Sequence, residues 1–171
     1  MRVSIRVRWA SHAVLLGLLW VVGAVAQVGH REDDARVVFV CEHGNVKSLI
    51  AASLFNSAAR DRRLTFHAVA RGVAPGDAVP PEISKALRED HIEVGAYKPE
   101  RLAPADLDGA ARVVAIGVDL TGVRDSSSAG IEDWNDVPPA SVDYVASRAS
   151  LLRHINALLD TLQASQGQME R

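Results

Sequence analysis

Cysteine is almost absent from the chain: Cys41 is the only one in 171 residues. A single thiol cannot close a disulfide within the chain, so the fold must rest on an ordinary apolar core. Aromatic residues are scarce as well, at 5% of the composition. With no basic stripe and no aromatic–basic interleaving, the chain lacks the electrostatic footprint of a nucleic-acid binder. Neither sign of charge dominates, since 19 Lys and Arg stand against 21 Asp and Glu. Such a balance suits a small or surface-presented ligand rather than a polyanion. His67, His91 and His154 fall on different predicted elements without ligand spacing, and Cys41 with His43 is the one pair that could share a metal ion. No metal and no cofactor is expected. No internal repeat is present.

What the chain does have begins with a leader pattern. Arg2, Arg6 and Arg8 precede the apolar stretch Val14–Val25, and Ala24-Val25-Ala26 supplies the small-x-small pattern of a cleavage site before Gln27. The stretch is short for a bilayer span, which takes about 20 residues. A signal peptide over residues 1–26 is therefore expected, with an uncleaved membrane anchor as the alternative. This places the mature protein in the periplasm or outside the cell. Residues 27–35 read as a polar linker, residues 36–164 as the folded domain and residues 165–171 as a polar tail. About 140 residues are enough to bury a core.

Within the domain, Arg36–Val40 reads as a strand and Val46–Arg60 as a helix with Leu49, Ile50, Leu54 and Phe55 facing the core. Leu64–Ala70 alternates as a second strand. Pro81–His91 has helical spacing with Pro81 in its first turn, and Gly95 is its expected stop. A short helix is expected over Leu102–Ala110, a buried strand over Ala111–Val118 and a loop over Ile131–Pro139. From Ser141, the expected N-cap, to Gln163 an apolar stripe of Val142, Val145, Ala149, Leu152, Ile155, Leu159 and Leu162 predicts a long amphipathic helix. Alternating strands and helices imply an α/β fold, a parallel sheet covered by helices on both faces.

The most informative segment joins the first strand to the first helix: Cys41-Glu42-His43-Gly44-Asn45-Val46-Lys47-Ser48. Strand, small-residue loop and helix is the layout that aims backbone N–H groups at an anion. Ligands of such folds bind beyond the carboxyl ends of the strands, where Cys41 lies, so its thiol is a candidate nucleophile.

The spacing Cys41-x5-Lys47-Ser48 resembles the signature loop of the low-molecular-weight protein tyrosine phosphatases and the related arsenate reductases, a cysteine, five residues, then arginine and serine. Arg71-Gly72-Val73 sits where that family carries a small-residue turn after its second strand, and the element order corresponds from Arg36 to Gln163. The resemblance implies a three-layer sandwich around a small parallel sheet of about four strands. It implies a hydrolase of phosphate monoesters, on small molecules or protein phosphotyrosine, that forms a phosphocysteine on Cys41. Lys47 would hold the oxyanion together with the loop residues Glu42, His43, Gly44, Asn45 and Val46. Ser48 would donate a hydrogen bond to the thiolate, Asn45 would brace the loop, and Gly44 would let the backbone approach the ligand. Asp136, in Trp134-Asn-Asp-Val-Pro138, is the expected general acid, with Asp133 as competitor. Trp134 is expected to form one wall of the substrate mouth.

The chain also departs from that signature. Lys47 stands where a guanidinium normally makes a planar two-point clamp, which an ammonium cannot reproduce. The Gly-Asn pair falls one residue late, Val46 replaces a second loop cysteine, and Val137 separates Asp136 from Pro138. Two alternatives stay open: a catalytically weak or inactive oxyanion- or partner-binding module of the same fold, and a single-cysteine arsenate reductase using an external thiol. A cysteine relay is excluded because no further cysteine exists.

Overall fold

The computed structural model describes residues 35–126 and 130–169. The expected signal peptide over 1–26 and all of the expected linker except Ala35 lie outside the described residues. So do the last two residues of the expected tail. No helix among the described residues is long and apolar enough to cross a membrane.

Four strands, β1 (Ala35–Cys41), β2 (Phe66–Gly72), β3 (Arg112–Ala115) and β4 (Ile131–Asp133), form one parallel sheet in the order β2-β1-β3-β4. β1 is interior, and every residue from Val37 to Cys41 is buried, which is why its sequence shows no polar alternation. Val37, Phe39 and Cys41, with Val114 and Ile116, face a layer made by the helices α1 (Lys47–Asp61), α2 (Pro81–Glu89) and α4 (Tyr144–Met169). Val38 and Val40, with Val113 and Ala115, face the opposite layer. There Leu107 of the one-turn helix α3 (Pro104–Leu107), Ala110 and Leu120, beside the 3-10 turn Thr121–Ser126, close the core. The architecture is the expected three-layer α/β sandwich, with helices on both faces of the sheet. Because the strands are parallel, their carboxyl ends open at one edge of the molecule, and the loops that begin there meet.

The outer edge of β2 is closed by backbone mimicry. The Asn56 amide both donates to the Ala68 carbonyl (2.9 Å) and accepts from the Ala68 N–H (2.7 Å). Farther along, Gly72 exchanges hydrogen bonds with Glu100 and Leu102. An exposed parallel edge would otherwise offer unpaired groups to another chain.

Several element ends differ from expectation, each for an identifiable reason. β2 starts at Phe66 rather than Leu64, because Leu64 completes the end of α1: Arg63 turns left-handed (φ 57°) and the Leu64 N–H reaches back to the Ala59 carbonyl. The same motif ends α2 at Glu89, with His91 left-handed (φ 60°) and the Ile92 N–H on the Leu87 carbonyl. Gly95 is not the stop. Neither left-handed position is a glycine, so the sequence shows no sign of either stop. α3 is a single turn within the longer helix expected there. β3 ends at Ala115. β4 falls inside the segment expected to be a loop.

The largest correction concerns α4. Its N-cap is Asp143, whose carboxylate accepts the Ala146 N–H (2.9 Å), and not Ser141. The expected stripe also fails at its amino-terminal end: Val142, which precedes the helix, and Val145 are 83% and 75% exposed, while Ser147 and Ser150 are buried. Ile155, Leu159 and Leu162 keep their core positions, joined by Leu151 and Leu158. Asp90, just after α2, holds a different face of the first turns inward. It accepts from the Tyr144 hydroxyl (2.7 Å) and from Arg148 Nε (2.6 Å). These residues lie four apart on one helical face, so that face must turn inward. The helix also continues to Met169, taking in most of the expected polar tail.

The two left-handed non-glycine positions make a direct stability prediction. His91→Gly should relieve backbone strain at an exposed site and raise unfolding stability by about 0.5–1 kcal/mol. Denaturant melts of the two proteins measure this.

Candidate active site

β1 ends at Cys41, and residues 42–46 curl from there to the first turn of α1. The carbonyls of Cys41, Glu42, His43 and Gly44 are engaged outside the loop. Val73 N–H donates to the Cys41 carbonyl (3.1 Å), Ala74 N–H to that of Glu42 (2.8 Å) and Gly76 N–H to that of His43 (3.0 Å). The Tyr97 hydroxyl donates to the Gly44 carbonyl at 2.6 Å, and Asn45 Nδ2 ties the loop to the Ala78 carbonyl at 2.7 Å. With the carbonyls held outward, the amides are free. Among the described residues, no backbone N–H from Glu42 to Ser48 donates to a protein acceptor. α1 leaves its first turn open as well, with Val46 at the N-cap, no side-chain cap and no acidic residue. A run of unpaired amides at a helix N-terminus is a concave anion site.

Two glycines make this curl possible. Gly44 is left-handed (φ 70°), and a Cβ there would lie 2.9 Å from the Gly72 nitrogen. A Cβ on Gly72 would lie 2.8 Å from the Gly44 nitrogen. The two backbones therefore pack face to face. Gly44 serves this contact behind the loop.

Ser48 is fully buried, and its hydroxyl lies 3.1 Å from the Cys41 sulfur. Once the thiol is ionised the hydroxyl must be the donor. Lys47 is half-buried, and among the described residues its ammonium has no hydrogen bond or ion pair. Its Nζ rests against Gly117, which is left-handed (φ 61°), and a Cβ on Gly117 would come within 2.5 Å of it. A free cation, free amides and a buried thiol thus share one cavity of about 180 Å³, lined by Cys41, Glu42, His43, Asn45, Val46 and Lys47 on the loop side. Gly117 and Pro139, Ala140 and Ser141 form the facing wall.

Two expected site residues are elsewhere. Trp134 is 1% exposed and forms no wall of this mouth. Its ring packs against Phe39 (5.5 Å between centroids) and stacks on His154 (4.7 Å), and its Nε1–H donates to Glu132 (2.7 Å). Asp136 is exposed and does not line the cavity. Its carboxylate is 2.7 Å from His154 Nε2, and that hydrogen bond holds its carboxyl below the usual range. A general acid must be protonated when the leaving group departs, so the pairing works against the role expected of it. Asp133 opens into a neighbouring depression with Asp119 and Asn135, across Gly117.

Sequence reasoning missed Tyr97, Gly117 and the Pro139–Ser141 wall. Burial, and then the proximity of Cys41, push the Tyr97 phenol up to about 12, so it remains a donor to the loop at any physiological pH. Behind the loop, Arg71 bridges Glu100 and the buried Asp106, both at 3.0 Å, and anchors the end of β2. No His, Cys, Asp and Glu cluster suited to a metal is found among the described residues.

A thiol at the carboxyl end of the central strand, ringed by unpaired amides and a cation, defines a thiol-centred oxyanion site on a parallel α/β sheet. The chain belongs to the low molecular weight phosphotyrosine protein phosphatase family, whose model matches residues 36–138. Similar solved structures include a low molecular weight protein tyrosine phosphatase from T. tengcongensis, at 23% identity and TM-score 0.64, covering 74% of this chain and 99% of that one. A low molecular weight phosphotyrosine phosphatase from Vibrio cholerae O395 has 16% identity and TM-score 0.65, with 75% and 97% covered. A thioredoxin-dependent arsenate reductase from Corynebacterium glutamicum has 18% identity and TM-score 0.60, with 77% of this chain and 63% of that one covered. No curated protein matches the chain by sequence. At these identities the structural likeness speaks for the fold.

Gly117→Ala tests how Lys47 is placed. The new methyl would push the ammonium from its place over Gly117 and strain the left-handed backbone there, so binding of inorganic phosphate should weaken by about tenfold, the scale of one charged hydrogen bond. Combined with Lys47→Met it should add little further loss. Isothermal titration of the two single variants and the double variant checks both statements.

Proposed function

We propose that the domain is a hydrolase of phosphate monoesters that works through a phosphocysteine on Cys41. The observation that carries this reading is the set of unpaired amides from Glu42 to Ser48, closing around a buried thiol beside an unpaired ammonium. A phosphate dianion arriving there would have its non-bridging oxygens met by the amides and by Lys47. Cys41 Sγ would attack phosphorus in line with the departing oxygen. Ser48, 3.1 Å from the sulfur, would stabilise the thiolate both before attack and when water displaces it again. Lysine supplies charge without the planar clamp of a guanidinium, so the amides would carry more of the transition-state charge.

The leader pattern over residues 1–26 supports action outside the cytoplasm, on a phosphorylated small molecule or protein. A second reading, a binding module that retains phosphate without turning it over, is favoured by the position of Asp136 away from the cavity. Arsenate reduction would need thiols from outside the chain, because Cys41 is alone.

Turnover of para-nitrophenyl phosphate separates these readings. The hydrolase reading expects Cys41-dependent release of nitrophenol, abolished in Cys41→Ser, with Lys47→Arg equal or faster. Phosphate binding without turnover would select the binding module. Equal rates for the native protein and Cys41→Ser would remove the phosphocysteine.

A further inference from the structure

Resting on the hydrolase reading, we propose that the site is built for acyl phosphates, whose leaving group departs as a stable carboxylate, and not for tyrosine or alkyl phosphate esters. In an in-line displacement the leaving oxygen lies across phosphorus from the attacking sulfur. The loop surrounds the other oxygens, so the leaving group meets the facing wall. That wall is Gly117, Pro139, Ala140 and Ser141, which offers one hydroxyl and no acid. Asp136, a short distance up the chain, is turned away and held by His154 on the Trp134 ring. Glu42 and His43 line the cavity from the loop and are not part of the facing wall. Asp133 opens into the adjoining depression.

Without an acid on the facing wall, the electron pair of the breaking P–O bond must stay on the leaving group. A phenol titrates near 10 and a carboxylic acid near 4, so a carboxylate accepts that pair readily and a phenolate does not. A positioned acid contributes about 10²–10⁴-fold to rate, and an acyl phosphate forfeits none of it when the acid is missing. The cavity supports the same choice: at about 180 Å³ it is small, and no Phe, Tyr or Trp lines it to pack against a phenyl ring. In the first step, Sγ would give its electron pair to phosphorus and the P–O pair would leave with the carboxylate, unprotonated. In the second, water would attack phosphorus, the P–S pair would return to sulfur, and the water's proton would pass to solvent.

The test compares kcat/KM, which reports events up to P–O cleavage, for acetyl phosphate, para-nitrophenyl phosphate and phenyl phosphate, with Cys41→Ser as the blank. The expected result is a fall of about 10²–10⁴-fold from the nitrophenyl to the phenyl ester, with acetyl phosphate at least equal to the nitrophenyl ester. Asp136→Asn should leave this pattern unchanged. Phenyl phosphate within about tenfold of the nitrophenyl ester would overturn the inference while leaving the hydrolase reading intact, since it requires a proton donor. A steep dependence restored by Glu42→Gln, His43→Gln or Asp133→Asn would then name that donor. Absence of Cys41-dependent turnover on all three would overturn the hydrolase reading and this inference with it.

Discussion

The carbonyl oxygens of Cys41, Glu42, His43 and Gly44 each accept a hydrogen bond from outside their own loop, and this decides which way the intervening amides face. A backbone group spent on one side cannot serve the other. The Val73–Gly76 segment supplies three of those donors and Tyr97 the fourth. Gly72 and Gly44 let the two backbones come close enough for the bonds to form. The site is therefore a property of two neighbouring crossovers of the sheet, not of the loop sequence alone. Register transmits it: β1 and β2 pair through Cys41 and Gly72, so the turn after β2 lies beside the loop it must hold.

Charge is arranged by omission as much as by placement. Lys47 sits over a glycine instead of a carboxylate, so among the described residues no ion pair neutralises its ammonium. A half-buried, uncompensated cation is costly on its own and favours whatever anion fills the cavity. The facing wall shows the complementary economy. It is apolar apart from Ser141, with Asp133 and Asp136 outside the cavity and Glu42 lining it only from the loop side. On the proposed reading, such an arrangement would hold an oxyanion and give little help to a poor leaving group.

Much of this was legible in the sequence where one short segment carried the signal. β1 is buried on both faces, so its apolar run is unbroken, and Cys41, Lys47 and Ser48 follow on one stretch of chain. The strand–loop–helix pattern, the parallel sheet and the family followed from that. Features that depend on distant partners were not legible. β4 holds its place by backbone pairing over three residues and carries no apolar pattern. The inward face at the start of α4 is held by Asp90, more than fifty residues from Tyr144. Trp134 and Asp136 stand in a promising loop, but His154 on α4 claims both, one by stacking and one by a hydrogen bond. Tyr97 and Gly117 matter only through contacts with Gly44 and Lys47, which no local spacing reveals.

The central claim is that the unpaired amides of residues 42–48 form the anion site. Amide-resolved NMR of the uniformly ¹⁵N-labelled protein, titrated with inorganic phosphate, tests it most directly. The account predicts saturable downfield shifts concentrated on the backbone N–H groups of Glu42 to Ser48, with Gly117 following as Lys47 moves onto the anion. Saturable shifts elsewhere with residues 42–48 unchanged, or no saturable shifts at all, would contradict it.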